Sequence, residues 1–197
     1  MPSAASSASP FSARCNYQVI FYPCAYREEG LLSPWEQGIV ELVRATGAAA
    51  YSQVAKTPRE KKKIKSLVRA EILGRVRLEG AYKLNVLLPG PYPGLEEVLK
   101  SLCLTRLVLI LRERFARVEI YPSPPYRAAL IINEKPYHVL VHREGEPVQP
   151  VIVLANGAER SIVLVEKYHR EFSEIKKGRI LLDLEDRFLL PDGTPEP

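Results

Sequence analysis

The sequence has few cysteines and no long apolar run. Its three cysteines, Cys15, Cys24 and Cys103, form no CxxC pair, so neither a disulfide scaffold nor a zinc site is expected, and a reducing cytoplasm fits. No stretch of about 18 apolar residues occurs, so we expect no membrane span and no membrane partner. Residues 1–12 are rich in Ser, Ala and Pro and lack the basic and apolar regions of a signal peptide.

Motifs of catalytic and cofactor sites are also missing. The chain contains no GxSxG, GxGxxG, HExxH or Walker pattern, so we expect no catalytic residue, no metal site and no cofactor. His138 and His142 share one face of a predicted strand but would lie about 13 Å apart, too far to hold one metal ion. Cys103 lies in an apolar helical stripe, which favours burial over nucleophilic chemistry.

Two capping boxes, each with proline at the first helical position, predict where two helices begin. They are Ser33-Pro34-Trp35-Glu36 and Thr57-Pro58-Arg59-Glu60, in which the hydroxyl can accept from the N3 amide and the glutamate can reach back to the cap amide. Apolar spacing predicts helices over Pro34–Thr46 and Pro58–Leu73, with a short helix over Ala49–Lys56 between them.

A hairpin is predicted after the third helix. Arg75–Leu78 and Tyr82–Val86 alternate polar and apolar residues, and Glu79-Gly80-Ala81 between them favours a tight turn. Three helices followed by this hairpin predict a winged helix-turn-helix over residues 31–88, with the hairpin as the wing. The preceding Asn16–Tyr22 is a predicted strand that could cap this unit or join a sheet.

Positive charge is concentrated on the third helix and the wing. Residues 56–77 contain nine basic and two acidic residues, a net charge of +7, whereas the whole chain has +5. Charge runs are usually solvated helix faces, but a local patch on this framework is typical of a duplex-DNA binder. The candidate DNA-binding residues form three groups. The residues expected nearest the bases are Arg59, Lys62, Lys63 and Ser66, and those expected to contact bases or phosphates are Lys61, Lys65 and Arg69. The residues on the wing, expected to contact the backbone or the minor groove, are Arg75, Arg77 and Lys83.

The second half of the chain has a different composition. A linker rich in proline and glycine is predicted at residues 89–94, followed by a long apolar helix over Leu95–Phe115. The predicted strands are Arg117–Tyr121, Tyr126–Asn133, Tyr137–His142 (joined to the preceding strand by a Glu134-Lys135-Pro136 turn), Val148–Ala155 and Ile180–Leu184, with a helix or strand over Ala158–Tyr168 and a short helix or turn over Phe172–Lys177. Tyr121, Tyr126 and Tyr137 could stack on bases of a single strand, although packing on the sheet is favoured.

These elements predict an α+β fold class in two domains. A winged helix-turn-helix over 31–88 is followed by a small α/β domain over 95–190. Residues 1–30 are expected to be a leader, partly disordered with one possible strand, and residues 191–197 a frayed tail.

This order resembles the replication-relaxation proteins of plasmids and integrative elements, over about residues 31–170. The resemblance is carried by LSPWEQGIVELVRATG, AAYSQVAK, the capped basic helix and GRVRLEGAYKLNVLLPG. It implies that the second domain has a restriction-endonuclease-type fold, whose typical motif is a Pro-Asp before one strand and an acid on the next.

The chain departs from that nuclease motif. Pro124-Pro125-Tyr126-Arg127 stands where the Pro-Asp is expected, and Val139-Leu140-Val141-His142 where the strand acid is expected. Glu174-Ile175-Lys176 spells E-x-K, but no acid stands on a convincing strand before it. A two-metal nuclease needs carboxylates that converge on a cation, so a degenerate, non-catalytic domain is expected.

Together these features predict a non-catalytic protein that binds double-stranded DNA, as an accessory to plasmid or mobile-element replication or transfer, or as a transcriptional regulator. The Leu95–Leu111 helix is expected to form a homodimer or to bind a protein partner. Two alternatives stay open: a metal-dependent nuclease using the second domain, and a protein-interaction module whose winged helix never touches DNA.

Overall fold

The computed structural model describes residues 9–28, 30–182 and 187–196. This part of the chain is a mixed fold with five α-helices and two β-sheets, which confirms the predicted α+β class. In chain order the elements are β1 (Gln18–Phe21), α1 (Pro34–Thr46), β2 (Ala49–Ala50), α2 (Tyr51–Val54), α3 (Pro58–Arg69), β3 (Gly74–Glu79), β4 (Lys83–Leu88), α4 (Leu95–Arg114), β5 (Val118–Tyr121), β6 (Ala128–Ile132), β7 (Lys135–His142), α5 (Gln149–Gly157), β8 (Ser161–Val165), β9 (Gly178–Leu182) and β10 (Arg187–Leu189).

The first sheet has the order β1-β3-β4-β2, and its neighbouring strands are antiparallel. The hairpin of β3 and β4 confirms the predicted pair of strands. β1 lies beside β3, which decides between the two alternatives for residues 16–22: this segment joins a sheet. The two-residue strand β2 pairs with the end of β4, so the connection between α1 and α2 is tied to the hairpin.

Both capping glutamates reach back to the cap amide as the sequence predicts, and the Thr57 hydroxyl accepts as predicted, whereas the Ser33 hydroxyl donates to the Glu36 carboxylate. The carboxylate of Glu36 accepts a hydrogen bond from the Ser33 amide at 3.0 Å. At the start of α3, the Glu60 amide donates to the Thr57 hydroxyl at 3.2 Å, and the Thr57 amide donates to the Glu60 carboxylate at 2.8 Å. Hydrogen bonds from Ser33 hold the pKa of Glu36 below its ordinary value, so this contact weakens as the pH falls through that lowered pKa.

The second and third helices are shorter than predicted. In place of a helix over Ala49–Lys56, Ala49 and Ala50 pair with β4 and only Tyr51–Val54 is helical. The predicted helix over 58–73 ends at Arg69, because Glu71 has a left-handed backbone with φ of 58°. This turn allows Ile72 and Leu73 to be buried before β3 begins.

The second sheet has the order β10-β9-β8-β7-β6-β5. Strands β7, β8 and β9 are parallel, and the outer pairs are antiparallel. The prediction of a strand over Val148–Ala155 is wrong, because this apolar segment forms α5, the crossover between parallel β7 and β8. Parallel neighbours need such a crossover, whereas a strand over the same residues would leave β7 and β8 without one.

Other boundaries also differ from the predictions. The turn between β6 and β7 is centred on Asn133 and Glu134, which both have positive φ, and not on Glu134-Lys135-Pro136. Ala158–Tyr168 contains the strand β8, and a 3-10 helix covers Arg170–Glu174, where a short helix or turn is predicted at 172–177. The strand predicted over Ile180–Leu184 is β9, Gly178–Leu182, and its predicted extension to residues 183 and 184 lies outside the described residues. The last strand, β10, was not among the predictions.

The described residues near both ends of the chain are more ordered than predicted. Phe11 and Cys15 are buried, and the hydroxyl of Tyr17 donates to the Pro10 carbonyl at 2.6 Å, so residues 9–21 are not a disordered leader. Residues 1–8, the rest of the predicted leader, lie outside the described residues. Near the other end, Leu189 bridges to Pro195, so residues 191–196 are not frayed; residue 197 is outside the description.

Helix α4 lies in the core that joins the two sheets. Ten of its twenty residues are buried, and one apolar core contains side chains from α1, both sheets and α4. The hydroxyl of Thr105 donates to that of Thr46 at 2.7 Å, and a Cβ on Gly47 would lie 2.7 Å from the Ser101 hydroxyl. The expectation that the 95–111 helix forms a dimer or partner surface is wrong, because the chain itself covers these apolar side chains.

Candidate nucleic-acid interface

Helix α3 presents a row of cations to solvent. Its inner side buries Ile64 and Leu67. We name its exposed side the α3 cationic face; it consists of Arg59, Lys61, Lys62, Lys65, Ser66 and Arg69. Within the described residues, none of the five basic side chains has a carboxylate within ion-pair distance. Unpaired surface cations need no intramolecular contact to be broken before they can meet phosphates.

Lys63 belongs to the inner edge of α3 and not to this face. Its ammonium donates to the Ser33 hydroxyl at 2.8 Å and lies 5.5 Å from the Trp35 ring centroid. The side chain therefore joins α3 to the start of α1. Lys63 stands four residues before buried Leu67, and this spacing is the sequence signal that could have placed it there.

The hairpin cations are engaged within the chain to different degrees. The Arg75 guanidinium lies 3.7 Å from the centroid of the Tyr22 ring, and its Nε is buried without a hydrogen bond to a described residue. Burial raises the pKa of Tyr51, which also contacts Arg75. Arg77 forms an ion pair with Glu79 on the same strand at 2.5 Å. Lys83 is exposed and forms no ion pair with a described residue.

The base of α3 lies near the end of α4. The Lys56 ammonium is 3.6 Å from the Glu113 carboxylate. Both side chains are more than 70% exposed, so this ion pair contributes little to stability. The contact shows that the start of the α3 cationic face lies beside the carboxyl end of α4.

Arg127, one of the residues in place of the nuclease motif, and Lys100 on α4 both pair with carboxylates. Arg127 donates hydrogen bonds to the Glu97 carboxylate and to the Ser101 hydroxyl, the latter at 2.5 Å. The Lys100 ammonium lies 2.7 Å from Glu96 and 2.6 Å from Glu146. Several of these residues line a cleft of about 390 Å³. The carboxylates around this cleft therefore already have cationic partners.

The histidines pack against aromatic rings. His142 is buried, its Nε2 lies 3.0 Å from the Glu146 carbonyl, and the rings of His169 and Phe172 lie within 5.5 Å of its own. Burial lowers the pKa of His142, so its ring stays neutral at lower pH than a free imidazole. His138 stacks on Tyr126 at 4.3 Å. Across residues 9–28, 30–182 and 187–196, His, Cys, Asp and Glu side chains form no group suited to a metal ion.

No protein-family model matches the chain, and no curated protein or solved structure matches it. No described helix is long and apolar enough to cross a membrane.

Proposed function

We propose that this protein binds double-stranded DNA through a winged helix-turn-helix formed by residues 31–88. The observation that carries the proposal is the α3 cationic face, whose five exposed basic residues have no acidic partner among the described residues. The order α1, α2, α3 and hairpin supports this motif, because three helices followed by a hairpin are its elements, and β2 is held beside β4.

In the proposed complex, α3 lies in the major groove and the hairpin lies along the backbone. Lys62, Lys65 and Arg69 are at the centre of the α3 cationic face, with Ser66 and Arg59 at its edge nearer the bases. Lys83 is the hairpin residue most accessible to a phosphate. Lys63 and Arg75 contribute to DNA binding indirectly. Lys63 holds α3 through its contact with Ser33, and Arg75 holds β3 through its contact with Tyr22.

We further propose that the protein is non-catalytic and serves replication or transfer of a plasmid or mobile element, or regulates transcription. The resemblance to replication-relaxation proteins suggests this setting. The pairing of Arg127 with Glu97, and of Lys100 with Glu96 and Glu146, supports a non-catalytic second half, since a divalent cation would have to displace these partners.

Fluorescence anisotropy with the full chain and a random-sequence duplex, repeated over a salt series, tests the proposal. We expect binding whose logarithm falls steeply with the logarithm of salt concentration, by about 0.9 per phosphate contacted. Absence of salt-dependent duplex binding would contradict it and favour a protein-interaction module.

The same preparation, incubated with supercoiled plasmid and Mg²⁺ or Mn²⁺, should leave the plasmid intact; nicking would favour the nuclease alternative.

A further inference from the structure

A second cleft lies where α4 stops covering the larger sheet. Leu111 and Phe115, at the carboxyl end of α4, line one edge of it. Beyond them, residues at the amino ends of β8 and β9, Ser161 and Gly178 among them, line its floor. We name this space the β8–β9 cleft. It has a volume of about 540 Å³, within the range of small-molecule sites, and its lining includes Tyr137, Arg160, Lys176, Lys177, Arg179 and Phe188.

The charge of this cleft is positive. Four basic residues face two acidic ones, Glu159 and Glu196. Arg160 pairs with Glu159 and Arg179 pairs with Glu196, each at 2.5 Å. Lys176 and Lys177 are exposed and have no ion-pair partner in the described chain. The ammonium groups of Lys176 and Lys177 at the rim are therefore available to bind an anionic ligand.

Aromatic rings line the same cleft. Phe115, Tyr137 and Phe188 are partly buried, and the Arg114 guanidinium lies 5.3 Å from the Phe188 ring centroid. No described residue forms a hydrogen bond with the Tyr137 hydroxyl. Cations and aromatic rings that line one cleft are the combination that binds single-stranded nucleic acid, in which lysines contact phosphates and bases stack on rings.

We propose that the β8–β9 cleft binds single-stranded nucleic acid, with Lys176 and Lys177 contacting phosphates and the Tyr137 ring stacking on a base. Leu111 and Phe115, which line the cleft, lie at the same end of α4 as Glu113, whose carboxylate contacts Lys56 just before α3. The cleft and the start of the α3 cationic face therefore both lie near the carboxyl end of α4. The proposal does not depend on duplex binding, because the two sites share no residue.

Anisotropy of a fluorescein-labelled oligo(dT) of about ten nucleotides, with the full chain, tests the cleft. The variant with Lys176→Ala and Lys177→Ala should bind about tenfold more weakly and lower the salt slope by about 1.4, or 0.7 per lost phosphate contact. The control, Lys167→Ala with Arg170→Ala, removes two exposed charges at the opposite end of β8 and should keep wild-type affinity. Duplex binding should remain unchanged in both the control variant and the cleft variant, which would show that the cleft and the α3 cationic face are separate sites.

The ring is tested by two substitutions of Tyr137. Tyr137→Leu keeps an apolar side chain but removes stacking, and should weaken oligo(dT) binding about fivefold or more, whereas Tyr137→Phe should retain it. Thermal melts must show that each variant is folded. Unchanged oligo(dT) binding in the double lysine variant, an equal loss in the control variant, or equal competition by polyglutamate would each overturn the proposal.

Discussion

Replacing Lys62 and Lys65 together with alanine is expected to weaken duplex DNA binding by about ten- to a hundredfold near physiological ionic strength. Both side chains are exposed at the centre of the α3 cationic face and have no ion-pair partner in the described chain. Each lysine that contacts a phosphate releases about 0.9 counterion, so the salt slope should fall by about two units. Anisotropy titrations at several salt concentrations measure both quantities.

The control for this pair is again Lys167→Ala with Arg170→Ala, which changes the net charge equally. It should leave the affinity and the slope within error of the wild type, because these residues lie in the second half of the chain beyond β8. A salt slope that stays the same after loss of Lys62 and Lys65 would place the phosphate contacts on another surface. An equal effect of both variants would indicate a general dependence on net charge.

Local signals in the sequence are sufficient to predict the elements of the first half. Capping boxes define the starts of α1 and α3 because they satisfy amide groups that no helix can satisfy itself. Alternation with period two predicts β3, since one face of that strand is buried, and it also predicts the start of β4, whose last three residues are all buried. The end of α3 was missed because Gly74 resembles a stop signal, whereas the turn occurs at Glu71.

Features that depend on distant residues could not be predicted in this way. The apolar run VQPVIVLA suits a buried strand or a buried helix, and only the parallel pairing of β7 with β8 decides for a helix. The apolar surface of α4 does not identify its partner, which is the same chain. Lys63 and Arg75 share the positive charge of the candidate site, but Ser33 and Tyr22 engage them through tertiary contacts.

Replacing Leu107 with alanine is expected to lower the free energy of unfolding by about 2–5 kcal/mol. This α4 side chain is fully buried in the core that α1 and both sheets share. Its loss removes apolar contacts and leaves a cavity that neighbouring elements can fill only in part. Urea denaturation followed by far-ultraviolet circular dichroism measures the change. Leu31→Ala is the matched control, since Leu31 is fully exposed and should change stability by less than about 0.5 kcal/mol.

The fluorescence of Trp35, the single tryptophan, shows whether this core couples the two halves of the chain. Trp35 lies on α1 and packs against the core that contains Leu107, while most of the second sheet contributes only to the circular dichroism signal. Because α1 and α4 are joined by Thr46, Thr105 and the close approach at Gly47, Leu107→Ala should shift both transitions to the same lower urea concentration. A Trp35 transition that stays in place while the circular dichroism transition moves would show that the halves unfold separately.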